Sequence, residues 1–277
     1  MSKKENGEMT FLEHLEELRW VIIRSIIAIC AAGTIAFLFK KIIFDEILLA
    51  PRNPDFISNK LICELGVMAK HLLHKIMTFP DVCINQHPKQ LINFTMGGQF
   101  NMHIKVSGVA GFIIAFPYIF YQFWNFINPA LHQNEQKYAK GAVFYSSSLF
   151  ILGILFGYFV LLPFSIDFLT TYSVSDQIEN KINIISYISN ITTVVLACGL
   201  VFELPIVVYF LSKIGIMSPA FMVKYWRHAV IIILVIAAII TPPDVISQTL
   251  VAIPLILLYF VSILISKAVR KKNEKNK

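Results

Sequence analysis

Apolar residues in this chain fall in long continuous runs separated by short polar stretches, with neither a period of two nor a lone apolar stripe. A bilayer core needs about 20 apolar residues per helix, so such runs read as membrane spans, whereas an outer-membrane barrel would show short alternating segments. Six runs qualify: Trp20 to Phe39, His103 to Ile127, Val143 to Leu169, Ile184 to Leu211, Ala229 to Thr241 and Ser247 to Ser266. The fourth would extend roughly 42 Å at 1.5 Å per residue and must tilt, kink or project, with Pro205 as the cause of a kink. The fifth would reach only about 20 Å and must thin the membrane or lean on its neighbours. The turn Thr241-Pro242-Pro243-Asp244 makes the last two runs a tight hairpin. The pattern predicts an all-α membrane protein of six transmembrane helices.

Composition agrees: 56% of the 277 residues are hydrophobic and 15% charged, which leaves no room for a large soluble catalytic domain. The mean hydropathy is +0.67. Lys and Arg in short loops set the orientation. Lys3, Lys4 and Arg19, then Lys137 and Lys140, then Lys213, Lys224 and Arg227, and finally the tail 267–277 all fall on one side, while the opposite short loops hold only Lys181. Both termini are therefore expected in the cytoplasm. The net charge of +7 reads as topology and lipid contact, with no nucleic-acid partner. The first ten residues are polar and the run after them is too long for a signal-peptide core, so no cleavable leader is expected. The whole of 1–277 reads as one membrane domain without an internal repeat.

Residues 40–101 form the largest stretch between spans and would make an extracytoplasmic cap. Cys63 and Cys83 would there meet an oxidising compartment, where a disulfide or two free thiols are both open. Cys30 and Cys198 lie inside spans and read as packing residues. His71, His74, His87 and His103 match no metal-ligand spacing, so no metal and no cofactor is expected.

The chemistry lies at the cytoplasmic ends. Thr10-Phe11-Leu12-Glu13 is a capping box opening an amphipathic helix over 10–19, with Phe11, Leu15, Leu18 and Ile22 along one face and Glu13, Glu16 and Glu17 on another. Carboxylates beside an anionic leaflet suit either the dipole of a helix N-terminus or a cationic ligand. Glu135, in the next cytoplasmic loop, adds a second acidic position, and with Glu17 offers two carboxylates suited to two guanidinium groups. Glu203 sits within the fourth run, where an ionised carboxylate costs on the order of several kcal/mol unless it is neutral, paired or facing a wet cavity.

These residues resemble the TatC family, the multispan core of the twin-arginine protein translocase. His14-Leu15-Glu16-Glu17-Leu18-Arg19 is similar to its N-terminal signature, and Phe126-Ile127 with Pro129-Ala130-Leu131 and Glu135 is similar to its first cytoplasmic loop. Phe202-Glu203-Leu204-Pro205 resembles its fourth-span motif, and the stretch from Thr241 to Thr249 its last hairpin. Four motifs in order cover the chain from end to end. The resemblance implies a concave bundle of six helices in the inner membrane of a bacterium. It implies Glu17 and Glu135 binding the paired arginines of signal peptides on folded cargo, with Arg19 and Phe126 shaping the site. Glu203 would contact partners within the membrane, and Pro51 and Asp244 match outer-face structural positions.

The partners implied are TatA/TatB-type single-span subunits in an oligomer, with the proton-motive force driving transport and no covalent catalysis. The chain departs from the family in carrying Gln136 and Lys137 after Glu135, where basic residues often follow directly, and in a longer first outer loop. A proton-coupled small-molecule secondary transporter using Glu203 is the alternative, although transporters often carry repeats and paired broken helices. An intramembrane hydrolase has less support, because Ser146-Ser147-Ser148 lacks a nucleophile motif.

Overall fold

A computed structural model describes residues 11–73, 83–86, 88–127, 139–175, 177, 180–241 and 245–275. In chain order it runs α1 (Phe11–Leu38), a π-helical segment (Ile42–Leu48), a 3-10 turn (Ala50–Arg52), α2 (Ile57–Leu73), β1 (Leu91–Ile92), α3 (Gly98–Ile127) and α4 (Ala139–Phe156). A second π-helical segment (Gly157–Leu161) follows, then α5 (Leu162–Thr171), β2 (Ile182–Asn183), α6 (Ile184–Val201), α7 (Leu204–Lys213), α8 (Pro219–Lys224), α9 (Trp226–Ile240) and α10 (Val245–Lys275). Among the described residues, five stretches are long and apolar enough to cross a membrane: Leu12–Leu38, Gly98–Ile127, Gly141–Thr171, Ile184–Lys213 and Ser247–Lys271. The apolar helix α9 has 15 residues and falls short of that length. The molecule is a mostly helical, multi-pass membrane protein.

Local chemistry explains where these helices differ from the plain runs of the sequence. No Pro or Gly separates Glu13 from Trp20, so the expected amphipathic helix and the first span form one uninterrupted α1. Thr10 and the proposed capping box at its start lie outside the described residues, as do Pro242, Pro243 and Asp244 of the last hairpin. The third run is interrupted because Pro163, near the start of α5, has no N–H to give to the preceding turn, and the backbone loosens there into the π-helical Gly157–Leu161. The fourth run breaks between Val201 and Leu204 for the same reason, with Pro205 in the first turn of α7. Asn183 caps α6 by accepting from the Ile185 amide at 2.9 Å. Gly215, at φ +81°, turns the chain out of α7 in a left-handed conformation that glycine adopts without a Cβ clash.

The chain packs as two compact units, Met1–Leu38 with Ser107–Ser147, and Phe39–Val106 with Ser148–Lys277. In the first, α1 crosses α3 at two glycines: a Cβ on Gly111 would lie 2.6 Å from the Gly33 nitrogen and 2.7 Å from the Ile29 carbonyl oxygen. Such close approach lets helices associate in lipid, where the hydrophobic effect does not drive them together.

The second unit is built around Leu161, Leu162, Ile188, Ile191, Val194 and Leu255, all fully buried. Gly153 and Gly157 press against α6, where a Cβ on Gly153 would meet the Cys198 carbonyl oxygen at 2.7 Å and the Phe202 Cβ at 2.8 Å. Ser212 Oγ donates to Ser266 Oγ at 2.7 Å, tying α7 to α10 through a buried bond.

The described residues of the cap are tied together and to α5. Cys63 and Cys83 are joined by a disulfide, with their Cα atoms 4.3 Å apart. Asn59, 1% exposed, donates from Nδ2 to the carbonyls of Pro51 (3.0 Å) and Asn53 (2.7 Å). Asn85 donates from Nδ2 to the Pro163 carbonyl at 3.0 Å and to Asn59 Oδ1 at 3.4 Å, and its backbone amide donates to Asp167 Oδ1 at 2.8 Å. Tyr158 and Tyr187 donate to the carbonyls of Ile47 (2.7 Å) and Leu48 (3.1 Å). Residues Leu91 and Ile92 pair in parallel with Ile182 and Asn183, a strand contact that the helical pattern of the sequence did not announce.

Candidate functional site

The proposed arginine-binding residues that the structure describes gather at one end of the first unit. The His14 ring stacks on Phe126 with centroids 4.2 Å apart and planes 23° apart, which brings the start of α1 against the last turn of α3. Glu17 follows His14 by three residues, close to one helical turn, so it belongs to the same end of the pair. Glu17 and Arg19 are exposed, while Phe126 is half-buried. Among the described residues Glu17 enters no salt bridge, so its carboxylate stands open to a cationic ligand. Glu135 lies outside the described residues. The antiparallel pair α1 and α3 is held at a distance from this end by the Gly33–Gly111 crossing, which sets the spacing of the helices without using polar groups.

Glu203 belongs to the second unit and marks the junction of α6 and α7. It is 9% exposed, and its carbonyl accepts from the amides of Ile206 (3.0 Å) and Val207 (3.1 Å) to open the first turn of α7. Its neighbour Phe202 packs on Phe156 at 5.5 Å and is held by Gly153 from behind. The position of the carboxyl is thus fixed by a tight, glycine-mediated helix contact on one side and a proline-started turn on the other.

Pro51 is fully buried and its carbonyl accepts from Asn59 Nδ2. Asp244 lies outside the described residues. Asn59, Asn85 and Asp167, which bind the cap to α5, were not singled out by sequence reasoning. Their partners lie 26 and 82 positions apart in the chain, so no local spacing announces the link. The Gly153-x-x-x-Gly157 spacing within an apolar run was the available signal for the α4–α6 contact. Among the described residues no cluster of three metal-ligating side chains occurs.

Comparison with known proteins agrees with this architecture. The model of the family described as Sec-independent protein translocase protein (TatC) matches residues 13–254. The Sec-independent protein translocase protein TatC of Blattabacterium sp. subsp. Periplaneta americana is 43% identical over 270 residues, covering 98% of this chain and 99% of the relative. The TatC protein of Aquifex aeolicus is 38% identical over 268 residues, covering 96% and 98%. A crystal structure described as twin arginine translocase receptor TatC in DDM superposes with a TM-score of 0.68 at 35% identity, over 91% of this chain and 98% of that one. With a family model spanning most of its length and relatives above 30% identity over nearly all of it, this chain belongs to the TatC family of Sec-independent protein translocase proteins.

Proposed function

We propose that this chain is the twin-arginine signal-peptide receptor and core subunit of a translocase that exports folded proteins across the bacterial inner membrane. The observation that carries the reading is the family match over residues 13–254, which includes the exposed Glu17 beside the stacked His14 and Phe126. The chain would cross the membrane with six helices and both termini in the cytoplasm, α9 being the short fifth span. Glu17 and Glu135 each hold one guanidinium of the signal peptide through charge-assisted, bidentate hydrogen bonds, with Arg19 and Phe126 shaping the pocket. The apolar part of the peptide then enters the membrane along the protein, and single-span subunits of the TatA/TatB type join near Glu203. The proton-motive force drives passage, and no covalent step is required. Family membership favours this reading over a proton-coupled small-molecule transporter.

Export of a twin-arginine reporter tests it. Glu17→Ala and Glu135→Ala are each expected to abolish export with the protein still inserted, because each removes a pair contributing about 1.5 to 3 kcal/mol. Unchanged crosslinking of the signal peptide to the double variant would refute the assignment.

A further inference from the structure

At the end of the second unit where α8, the start of α9 and the end of α10 meet, a groove of about 410 Å³ is lined by Val223, Trp226, Phe260, Ile263, Leu264 and Lys267. Five of its six walls are apolar, and four of those are open: Trp226 is 41% exposed, Phe260 44%, Val223 49% and Leu264 63%. The groove is rigidly founded. Met222 and Ile263 are buried together with Val208, and Tyr259 donates from its hydroxyl to the Met222 carbonyl at 2.9 Å, so α8 cannot lift away from α10 without breaking a packed contact.

Cations crowd its rim. Lys267 stands in the groove itself, and the Arg227 guanidinium lies 5.7 Å from the ring centre of Trp226, one of the groove walls. Lys224 sits one residue beyond Val223. Among the described residues neither Lys267 nor Arg227 enters a salt bridge. The groove therefore couples an apolar slot at membrane depth to two cations, Lys267 and Arg227, at its rim. Trp226 opening an apolar helix and Lys267 closing an apolar run both occupy the positions where aromatic rings and snorkelling lysines meet the headgroups.

We propose that this groove is a binding site for an anionic phospholipid, with an acyl chain along Trp226, Phe260 and Leu264 and the headgroup phosphate held by Lys267 and Arg227. Charge complementarity selects the occupant: a zwitterionic lipid would fill the apolar slot but leave the cationic mouth unanswered, whereas a phosphatidylglycerol satisfies both. The site depends on the membrane character of the chain and not on the assignment of Glu17 and Glu135, so the two readings fail separately.

Trp226 reports on its own groove. The full chain carrying Trp20→Phe and Trp124→Phe keeps Trp226 as its single tryptophan. Reconstituted in phosphatidylcholine vesicles, it is titrated with a small mole fraction of phosphatidylglycerol or of phosphatidylcholine bearing brominated chains, which quench tryptophan on contact. The expected result is quenching by phosphatidylglycerol as though it were enriched roughly fivefold or more over its bulk fraction, with phosphatidylcholine at its bulk fraction. Adding Lys267→Gln and Arg227→Gln should remove the enrichment while leaving quenching by brominated phosphatidylcholine intact, which shows that the variant is inserted.

Equal quenching by the two lipids overturns the proposal and leaves the groove to an acidic protein segment. Enrichment that survives the double substitution overturns the assigned residues. Native mass spectrometry of the unaltered chain gives a second reading free of tryptophan substitutions. Retained phosphatidylglycerol that phosphatidylcholine cannot displace supports the site, and equal retention of both refutes it.

Discussion

Two glutamates on this chain carry opposite physical problems. Glu17 is exposed at the end of a helix and, among the described residues, forms no salt bridge, so it is free to meet a soluble cation. Glu203 is 9% exposed at a helix junction within a span, where polarity must be satisfied by protein. Gln has nearly the shape and hydrogen-bonding capacity of Glu but cannot ionise, which separates an anchoring role for Glu203 from a protonic one. Glu203→Gln is expected to retain substantial export, and Glu203→Ala to lose assembly with single-span partners, when both are compared at equal membrane levels. A Gln variant as inactive as Ala would show that ionisation is required and return proton coupling to consideration. Sequence placed Glu17 on the helix before the first span and Glu203 within the fourth run, and the family motifs then gave both a role. The stacking of His14 on Phe126, which joins residues 112 positions apart, was not legible, because an aromatic pair across two helices leaves no local spacing to read.

At the scale of elements, helix crossings through glycine decide the packing. A Cβ on Gly111 would collide with the backbone of α1, whereas one on Gly108, a turn earlier, meets nothing within 4 Å. Gly111→Leu should therefore lower the thermal midpoint of the purified protein in detergent by the equivalent of about 1 to 3 kcal/mol, and Gly108→Leu should leave it nearly unchanged. Equal loss from both would show that helix propensity, not the crossing, governs the effect. The cap offers a second check. Cys63 and Cys83 are joined, so a thiol reagent applied to the unfolded chain is expected to label them only after reduction, while Cys30 and Cys198 label without it. Labelling of all four before reduction would rule the bridge out. Apolar run lengths located these helices, but the π-helical relaxation before Pro163 and the parallel contact of β1 with β2 depend on what packs alongside.

For the whole molecule, the one-sided distribution of Lys and Arg predicts that both termini face the cytoplasm. Single cysteines introduced at Ser2 and Lys277 in an otherwise cysteine-free chain should react with a membrane-impermeant thiol reagent only after the cells are opened. Val174→Cys, between the third and fourth spans, should react from outside. Labelling of Ser2→Cys in intact cells would reverse the topology and place Glu17 on the wrong face to meet a signal peptide.

By itself the amino-acid sequence determined that the chain lives in a membrane as helices and that it carries the TatC motifs, because run length, composition and short motifs are local properties that survive without coordinates. Pro205 also foretold the break in the fourth run, since a missing N–H acts at its own position whatever surrounds it. Only the tertiary structure decided which glycines become crossings, that His14 seats against Phe126, and that Asn59, Asn85 and Asp167 link the cap to α5. Each of these depends on groups far apart in the chain arriving within a few ångströms of one another, and a polar loop residue acquires a buried partner only once the fold has excluded water around it.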